Sequence, residues 1–367
     1  MQSQRELSTF ALSPAMRGKL TAAGFLTVED LHHIKPSELS KELGTSAEDA
    51  LEILQTVFPE NTTTPNRKMA VPKSVTALEL LYSEQSLPSI LTFSEEMDTM
   101  LGGGVPLAKI TEFCGAPGIG KTQICMQLCV DVQIRECFGG LGGEAVYIDT
   151  EGSFIVERLA DIARATTQHC QHIASMDKSA ELKEEAESFT LEKILSGIYC
   201  FRCHDYVELL ATIHLLPKFI NQHPKVKLVV IDSIAFHFRH DFEDLSLRTR
   251  LLTSLAQSFI KMATEFKLAV VLTNQMTTRF RGSEGASSSH LIPALGESWA
   301  HASTIRVILY WDDNHRYALL YKSPSKKEAV VKFQITMGGI RDVVSNSNKE
   351  TSEDCSDNQP AKRQKVS

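Results

Sequence analysis

Short apolar runs alternate with longer amphipathic stretches along the chain from Leu91 onward. Runs of this kind indicate buried strands, and their alternation with helices indicates a parallel sheet joined by crossover helices. The predicted strands are residues 110–114, 145–148, 198–202, 227–231 and 268–274. Helices are predicted after Lys121, from Asp205 and over residues 246–266. Three later runs without helices between them, residues 302–311, 316–321 and 330–336, predict an antiparallel meander at the sheet edge.

The first part of the chain shows a different pattern, in which helix-capping residues and turn glycines recur at short intervals. Four short helices are predicted, beginning near Pro14, Thr27, Pro36 and Ser46. Paired short helices with glycine-containing turns are typical of helix-hairpin-helix units, whose turn N–H groups can face a phosphate. A small helical module that docks a partner explains the pattern equally well, because these turns lack a G-x-G sequence.

These patterns divide the chain into four predicted segments. Residues 1–58 form a small all-α domain of helix-hairpin-helix-like character, and residues 59–76, which are polar and contain prolines, form a linker. Residues 77–344 form the α/β core. Residues 345–367 are rich in Ser, Asn, Asp and Glu and are expected to form a disordered tail.

Composition limits the classes of function. The 367 residues, of which 43% are hydrophobic and 23% charged, suit a large α/β domain with a small second one. No apolar run is long enough to span a bilayer, and the N-terminus lacks a secretory leader, so no membrane is expected as a partner. The eight cysteines suit a reducing compartment. The net charge of −7 does not favour DNA binding by the whole molecule, so local loops must provide any DNA contact.

A phosphate-binding loop follows the first predicted strand of the core. The pattern G-x-x-x-x-G-K-[ST] is matched by Gly115, Ala116, Pro117, Gly118, Ile119, Gly120, Lys121 and Thr122. The glycines let backbone N–H groups approach phosphate oxygens, the lysine reaches the β- and γ-phosphates, and the threonine hydroxyl can coordinate Mg²⁺. A strand before the loop and a helix after it are the context that this motif requires. The loop predicts ATP and Mg²⁺ as cofactors.

Two carboxylates follow other predicted strands of the core. Asp232 ends the apolar run 227–231, where P-loop enzymes use an aspartate to hold the Mg²⁺ shell, although a turn cap is the simpler alternative. Glu151 follows the strand 145–148, at the sheet end where open α/β sheets bind ligands. Glu151 is the candidate base that polarises the attacking water, and an exposed loop acid without a catalytic function is an equally good interpretation.

Gln275 follows another predicted strand, and its amide can hydrogen-bond a γ-phosphate and respond to it. Residues 276–290 contain Arg279, Arg281, two glycines and several serines without apolar periodicity, so they predict a loop that becomes ordered on DNA, or an idle connection. Arg239 lies in a mixed-charge segment after Asp232, which fits either a second DNA contact or a solvated helix start.

Two other motifs need interpretation. The sequence Cys200-Phe201-Arg202-Cys203-His204 has the form used for covalent haem, but its position on a predicted strand argues against that function. In the tail, Lys362, Arg363 and Lys365 form a basic cluster that fits a nuclear import signal, with a merely solubilising tail as the alternative.

Taken together, these residues resemble the RecA-like recombinases of eukaryotes and archaea. The matching stretches are residues 101–105, 110–127, 147–159, 228–232, 247–251, 273–276 and 294–299, and the likeness covers nearly the whole chain except the tail. It implies a RecA-type P-loop ATPase core with a mostly parallel sheet and an antiparallel C-terminal edge. It also implies that Glu151 is the catalytic glutamate, that Gln275 senses the γ-phosphate, and that the segments after Ile234 and Gln275 face DNA.

The resemblance also carries expectations for function. It implies a DNA-dependent ATPase with slow hydrolysis that binds single-stranded and branched DNA in homologous recombination and double-strand break repair. Members that form filaments carry a Phe-x-x-Ala anchor in the linker, whereas residues 74–77 here are Ser-Val-Thr-Ala. This departure favours a paralog that works in hetero-oligomers with other RecA-like paralogs. The expected location is the nucleus, with a cytoplasmic pool as a further possibility. A non-catalytic RecA-fold scaffold and a hexameric helicase-type motor are the alternatives.

Overall fold

The computed structural model describes residues 6–10, 12–31, 34–58, 75–177, 179–240, 242, 244–280 and 289–343. The chain divides into two compact units, residues 1–80 and residues 81–367. Of the residues singled out in the sequence, Ser74, Arg281 and the tail residues Lys362, Arg363 and Lys365 lie outside the described part.

The first unit is a cluster of short helices, as the capping residues predict. After a 3-10 turn at Leu7–Thr9, the helices are α1 (Pro14–Ala22), α2 (Val28–Leu31), α3 (Pro36–Leu43) and α4 (Ala47–Val57), and α5 (Ala77–Gln85) runs across the boundary of the units. The Ser13 hydroxyl caps α1, and the Asp30 carboxylate accepts from the backbone N–H groups of Leu26 and Thr27 at the start of α2. Their apolar sides form a small core that includes Leu20, Leu39 and Ile53.

The second unit contains helices and strands in alternation. Its helices are α6 (Glu95–Leu101), α7 (Lys121–Asp131), α8 (Val156–Met176), α9 (Ala180–Ser188), α10 (Leu191–Ser196), α11 (Tyr206–Gln222), α12 (Phe236–His240), α13 (Leu245–Phe266) and α14 (Gly296–Ala300), with a 3-10 turn at Glu136–Phe138. Its strands are β1 (Ser89–Ile90), β2 (Val105–Pro106), β3 (Ile110–Gly115), β4 (Glu144–Asp149), β5 (Ile198–Arg202), β6 (Val226–Asp232), β7 (Ala269–Phe280), β8 (Ser289–Pro293), β9 (Ile305–Asp312), β10 (His315–Lys322), β11 (Val330–Thr336) and β12 (Gly339–Asp342).

One large sheet organises this unit, with the strand order β12-β11-β10-β9-β3-β7-β6-β4-β5 and with β8 paired to β7 alone. The strands from β9 to β5 run parallel, and β10, β11 and β12 add an antiparallel edge. Helices and buried side chains cover both faces, because two separate apolar cores draw on alternate residues of the central strands. This is the predicted RecA-type architecture, a mostly parallel α/β sheet with an antiparallel C-terminal edge.

The register of the parallel strands brings distant parts of the chain to one edge of the sheet. Gly115 at the end of β3 is paired with Gln275 in β7, and Asp149 at the end of β4 is paired with Asp232 at the end of β6. Strands β3, β4 and β6 therefore end at the same carboxyl edge, and Gln275 of β7 lies between the ends of β3 and β6. This is where open α/β sheets bind their ligands.

The prediction of a loop over residues 276–290 is wrong at both of its ends. Strand β7 continues to Phe280, and β8 returns antiparallel to it, with Met276 paired with Pro293. These residues lack apolar periodicity because a hairpin that projects from a sheet is stabilised by backbone hydrogen bonds between its strands rather than by a buried face. The segment after Ile234 likewise contains a helix, α12, rather than a continuous loop.

Candidate functional site

The phosphate-binding loop forms a tight turn between β3 and α7. Gly118 and Gly120 have positive φ angles of 76° and 117°, which side-chain-bearing residues rarely adopt. A Cβ atom at Gly115 would lie 2.8 Å from Ile119 Cγ2 and 2.9 Å from the Leu309 carbonyl oxygen, so this position has room only for glycine. The loop leads directly into the N-terminus of an eleven-residue helix, α7, which favours an anion at that end.

Lys121 is the first residue of α7, and its side chain folds back over the loop. Its Nζ donates to the carbonyl oxygens of Gly115 at 2.9 Å and of Ala116 at 3.0 Å. Burial lowers the pKa of Lys121, and the negative charges of Asp232 and Glu151 partly oppose this shift. The ammonium group is thus half-buried and, among the described residues, is bound by neutral carbonyls alone, so a phosphate oxygen would be a stronger acceptor for it.

Asp232 is buried at the end of β6 and accepts three hydrogen bonds from hydroxyl groups. Thr122 and Tyr147 each donate to Oδ2 at 2.6 Å, and Thr273 donates to Oδ1. Because the Thr122 hydroxyl donates its hydrogen bond to the carboxylate, the lone pairs of its oxygen remain available to coordinate a cation. The residues present therefore fit Mg²⁺, with the Thr122 oxygen as a ligand and Asp232 behind it.

Glu151 belongs to a second hydrogen-bonded group, beside the first. Its Oε1 accepts from the Ser233 hydroxyl and, at 2.8 Å, from Gln275 Nε2. The side-chain amide oxygen of Gln275, Oε1, in turn accepts from the Arg239 guanidinium. Glu151 is exposed, and its carboxylate is held by Ser233, which directly follows β6, and by Gln275, which lies within β7.

The loop that carries Glu151 is shaped by the buried carboxylate of Asp149. Asp149 accepts from the backbone N–H groups of Glu151, Ser153 and Phe154 at 3.1–3.3 Å. Thr150 adds a second connection, since its hydroxyl donates to the Ser233 carbonyl oxygen at 2.8 Å and accepts from the Ser233 N–H at 2.7 Å. The backbone of Glu151 is thereby fixed to the end of β6.

The other predicted site residues are less closely gathered. Arg239 lies on α12 and is exposed, and its guanidinium donates a hydrogen bond to the side chain of Gln275. Arg279 lies near the end of β7. The candidate phosphate sensor, Gln275, and a candidate DNA-facing arginine, Arg239, are thus in direct contact.

Sequence reasoning singled out Thr122 and Gln275 but missed the other residues that hold the two carboxylates. Tyr147 and Thr273 bind Asp232 from 85 and 41 positions away along the chain, and Ser233 binds Glu151 from 82 positions away. No local pattern marks such partners. The one available signal was position, because each residue lies at or next to the carboxyl end of a predicted strand.

Most of this chain is similar in sequence to known proteins. The Rad51 family model matches residues 83–343. The DNA repair protein RAD51 homolog 3 of Cricetulus griseus is 57% identical over 342 residues, which cover 92% of each protein. The DNA repair protein RAD51 homolog 3 of Dictyostelium discoideum is 44% identical over 73% of this chain and 70% of its own length. The DNA repair and recombination protein RadA of Aeropyrum pernix is 32% identical over 90% of this chain and 94% of its own length.

Proposed function

The chain belongs to the Rad51 family, and from this premise we propose that it is an ATP-dependent, DNA-binding recombinase paralog that acts in homologous recombination and double-strand break repair. The observation that carries the proposal is the convergence of Lys121, Thr122, Asp232, Glu151 and Gln275 at one edge of the sheet. Lys121 would supply a positive charge for the phosphates, and Thr122, supported by Asp232, would supply a metal ligand. Glu151 would act as the base and Gln275 as the γ-phosphate sensor. Relatives named as DNA repair proteins support the biological setting.

Each part of the site has a role in nucleotide binding. The loop from Gly115 to Thr122 would hold the phosphates through backbone N–H groups, and Lys121 would exchange its two carbonyl acceptors for phosphate oxygens. Thr122 and Asp232 would hold Mg²⁺, which supplies charge neutralisation at the phosphates when bound. The hydroxyls of Tyr147 and Thr273 keep the Asp232 carboxylate oriented toward Thr122.

Glu151 is the proposed catalytic base. Its carboxylate can accept a proton from a water molecule positioned near the γ-phosphate, while Ser233 and Gln275 hold it in place. The Gln275 amide could also donate to a γ-phosphate oxygen in place of Glu151. Hydrolysis, which removes the γ-phosphate, would then change the hydrogen bonding of a residue in β7. We expect turnover to be slow in the isolated chain, since a neighbouring subunit commonly completes a site at this sheet edge.

DNA is the proposed macromolecular ligand. Because the chain carries a net charge of −7, contact with single-stranded or branched DNA must be local, and Arg239, Arg279 and Arg281 are the proposed contacts. Arg239 joins this set to the nucleotide site through its bond with Gln275.

The proposed nuclear import signal is the basic cluster Lys362, Arg363 and Lys365. Truncation after Gln359 should reduce nuclear accumulation of the protein. Unchanged imaging would exclude the tail as the sole signal.

The working assembly is proposed to be a hetero-oligomer with other RecA-like paralogs. The linker has Ser74 where filament-forming relatives place an aromatic anchor, a difference of about 1.5–3 kcal/mol in apolar burial at each contact. A few buried anchors dominate association energies, so self-assembly should be weak. Ser74→Phe should therefore strengthen self-association, with Thr76→Phe as the control for an aromatic at the wrong position.

Sedimentation of the purified chain, with ATP and single-stranded DNA, tests this assembly. We expect monomers or small oligomers for the wild-type chain and for Thr76→Phe, and larger species for Ser74→Phe. Long homopolymers of the wild-type chain, formed without any partner, would contradict the hetero-oligomer proposal. ATP and DNA binding measured on the same samples would show whether the nucleotide and DNA assignments hold independently of assembly.

A further inference from the structure

A buried acidic group, distinct from the nucleotide site, lies in the middle of β3. The Glu112 side chain is fully buried, and its Oε1 accepts from Asn274 Nδ2 at 2.8 Å and from Trp299 Nε1 at 2.9 Å. Its Oε2 accepts a hydrogen bond from Arg306 Nε at 2.7 Å, and Arg306 Nη2 lies 2.6 Å from the same oxygen as an ion-pair contact. We call these four residues the Glu112 junction.

Stability alone does not account for the Glu112 junction. Well-packed apolar side chains of similar volume generally stabilise a core as much as a buried ion pair, because desolvation of the two charges offsets their attraction. The junction also draws its four members from three strands and a short helix: β3, β7, β9 and α14. A charged group that joins four elements indicates that their relative positions must be held accurately.

The junction holds β7 from the face opposite the nucleotide site. Neighbouring residues of a strand point to opposite faces, so Asn274 points away from Thr273 and Gln275. Those two neighbours bind Asp232 and Glu151 respectively. The position of Asn274 therefore sets how both of them reach the carboxylates of the site.

The junction also holds the segment that returns from the β7–β8 hairpin. Asn274 Nδ2 donates a second bond to the Ala294 carbonyl oxygen at 3.0 Å, and the Ala294 N–H donates to the Gln275 carbonyl oxygen at 2.8 Å. Ala294 directly follows β8, and Trp299 lies on α14, which comes next in the chain. Both arms of the hairpin are thus anchored on Glu112 where they leave the sheet.

We propose that Glu112 is a positioning residue that couples the nucleotide site to the hairpin carrying Arg279. With Asn274 and Trp299 fixed on β3, a change of partner at Gln275 must move the outer part of the hairpin, since its base cannot relax. Without the junction, the same change would be absorbed locally, and each ligand would bind without influencing the other. The inference rests on the proposed binding of ATP and DNA.

Two variants separate positioning from stability. Asn274→Ala removes the bond between Glu112 and β7 while keeping the ion pair. The double variant Glu112→Leu/Arg306→Met replaces the ion pair by apolar side chains and leaves no buried charge unpaired. The double variant Asp161→Leu/Arg164→Met, at an exposed ion pair of α8, is the matched control.

The measurement is the affinity of the full chain for oligo-dT, by fluorescence anisotropy, with Mg²⁺ and either a slowly hydrolysed ATP analogue or ADP. For the wild-type chain and the control we expect the two affinities to differ by about five- to 150-fold, the usual range of coupling between sites. For both junction variants the ratio should fall to about one, while affinity for the ATP analogue alone stays within about twofold.

A spectroscopic signal reads the junction directly. The chain has two tryptophans, so Trp311→Phe leaves Trp299, whose Nε1 binds Glu112, as the only emitter. Its emission should change when nucleotide and DNA bind together, and Asn274→Ala should abolish that change. A folding defect without a positioning role would lower the unfolding temperature but leave this response in the folded protein.

The outcomes separate this inference from the proposed function. Folded junction variants that keep the wild-type ratio and the Trp299 response would overturn the positioning role of Glu112 and leave the proposed function intact. A wild-type ratio of about one would overturn the inference, because there would be no coupling for Glu112 to transmit, and would leave ATP and DNA binding intact. Failure of the wild-type chain to bind either ligand would overturn the proposed function itself. If the double variant at Glu112 and Arg306 does not fold, Asn274→Ala decides the question alone.

Discussion

Replacing Tyr147 by Phe removes one hydroxyl group from the centre of the site and changes no other atom. That hydroxyl donates to Asp232 Oδ2 at 2.6 Å, and the ring is fully buried against Phe154. Burial, with a further contribution from Asp232, raises the pKa of Tyr147 well above its ordinary value, so the group remains a donor at any working pH. In the variant, the bond from Thr122 is the one that the described residues still make to Oδ2.

The magnitude follows from the charge on the acceptor. A hydrogen bond to a charged group contributes about 1.5–3 kcal/mol, and Phe at this position keeps the apolar burial of the ring without leaving a buried donor unpaired. We therefore expect Tyr147→Phe to lower the free energy of unfolding by about that amount. The Asp232 carboxylate is also free to turn away from Thr122, so the Mg²⁺ concentration needed for half-maximal ATP binding should rise.

Thermal unfolding followed by circular dichroism measures the first effect, and a Mg²⁺ titration at fixed ATP measures the second. The control is Tyr321→Phe, at a side chain that is 58% exposed, where the change should stay within about 0.5 kcal/mol. Equal stability of the two variants would refute the energetic argument. A loss of stability with an unchanged Mg²⁺ requirement would reduce Tyr147 to a structural role.

Three further outcomes are expected. Lys121→Ala should lower ATP affinity by about 1.5–3 kcal/mol in calorimetry, because it removes a charge-assisted phosphate contact, and unchanged affinity would contradict the loop assignment. Burial, opposed by hydrogen bonding to Thr92, raises the pKa of Asp98 from 3.8 to about 6, so wild-type stability should fall as pH rises through that interval. Asp98→Asn should consequently gain about 1–3 kcal/mol over wild type at pH ~8 and little near pH ~4 in denaturant titrations; an equal gain at both would refute the shift. Neutralising Arg279 and Arg281 should weaken oligo-dT binding and reduce its log–log salt slope by about 0.7 for each phosphate that is no longer neutralised, and an unchanged slope would exclude the two arginines as phosphate ligands.

The sequence predicted the parts of the fold that have local signals. Apolar runs located the core strands to within a few residues, and capping residues such as Ser13 located the first helices. The phosphate-binding loop was recognisable because its chemistry depends on neighbours in sequence. The 21-residue helix α8 was not predicted. Its buried positions include Ala163, Thr166 and Ala174, small or polar residues that weaken an apolar stripe.

What sequence could not provide was the set of long-range partners. The bonds from Tyr147 to Asp232 and from Trp299 to Glu112 join residues 85 and 187 positions apart, and only the register of the sheet brings them together. The hairpin of β7 and β8 was missed for a related reason, since its stability comes from pairing rather than from burial. Candidate roles could thus be assigned to single residues, but not the contacts that hold those residues in place.

We propose that this chain uses its phosphate-binding loop and Glu151 to hydrolyse ATP in response to DNA. The most direct measurement is the steady-state release of phosphate by the wild-type chain and by Glu151→Gln, each with and without single-stranded DNA, beside ATP binding by both. We expect slow wild-type turnover that rises with DNA, and a variant that binds ATP with similar affinity but does not turn it over. Equal turnover in the two proteins would show that Glu151 is an exposed loop acid without a catalytic role. ATP binding without turnover in either protein would identify a non-catalytic scaffold in place of an ATPase.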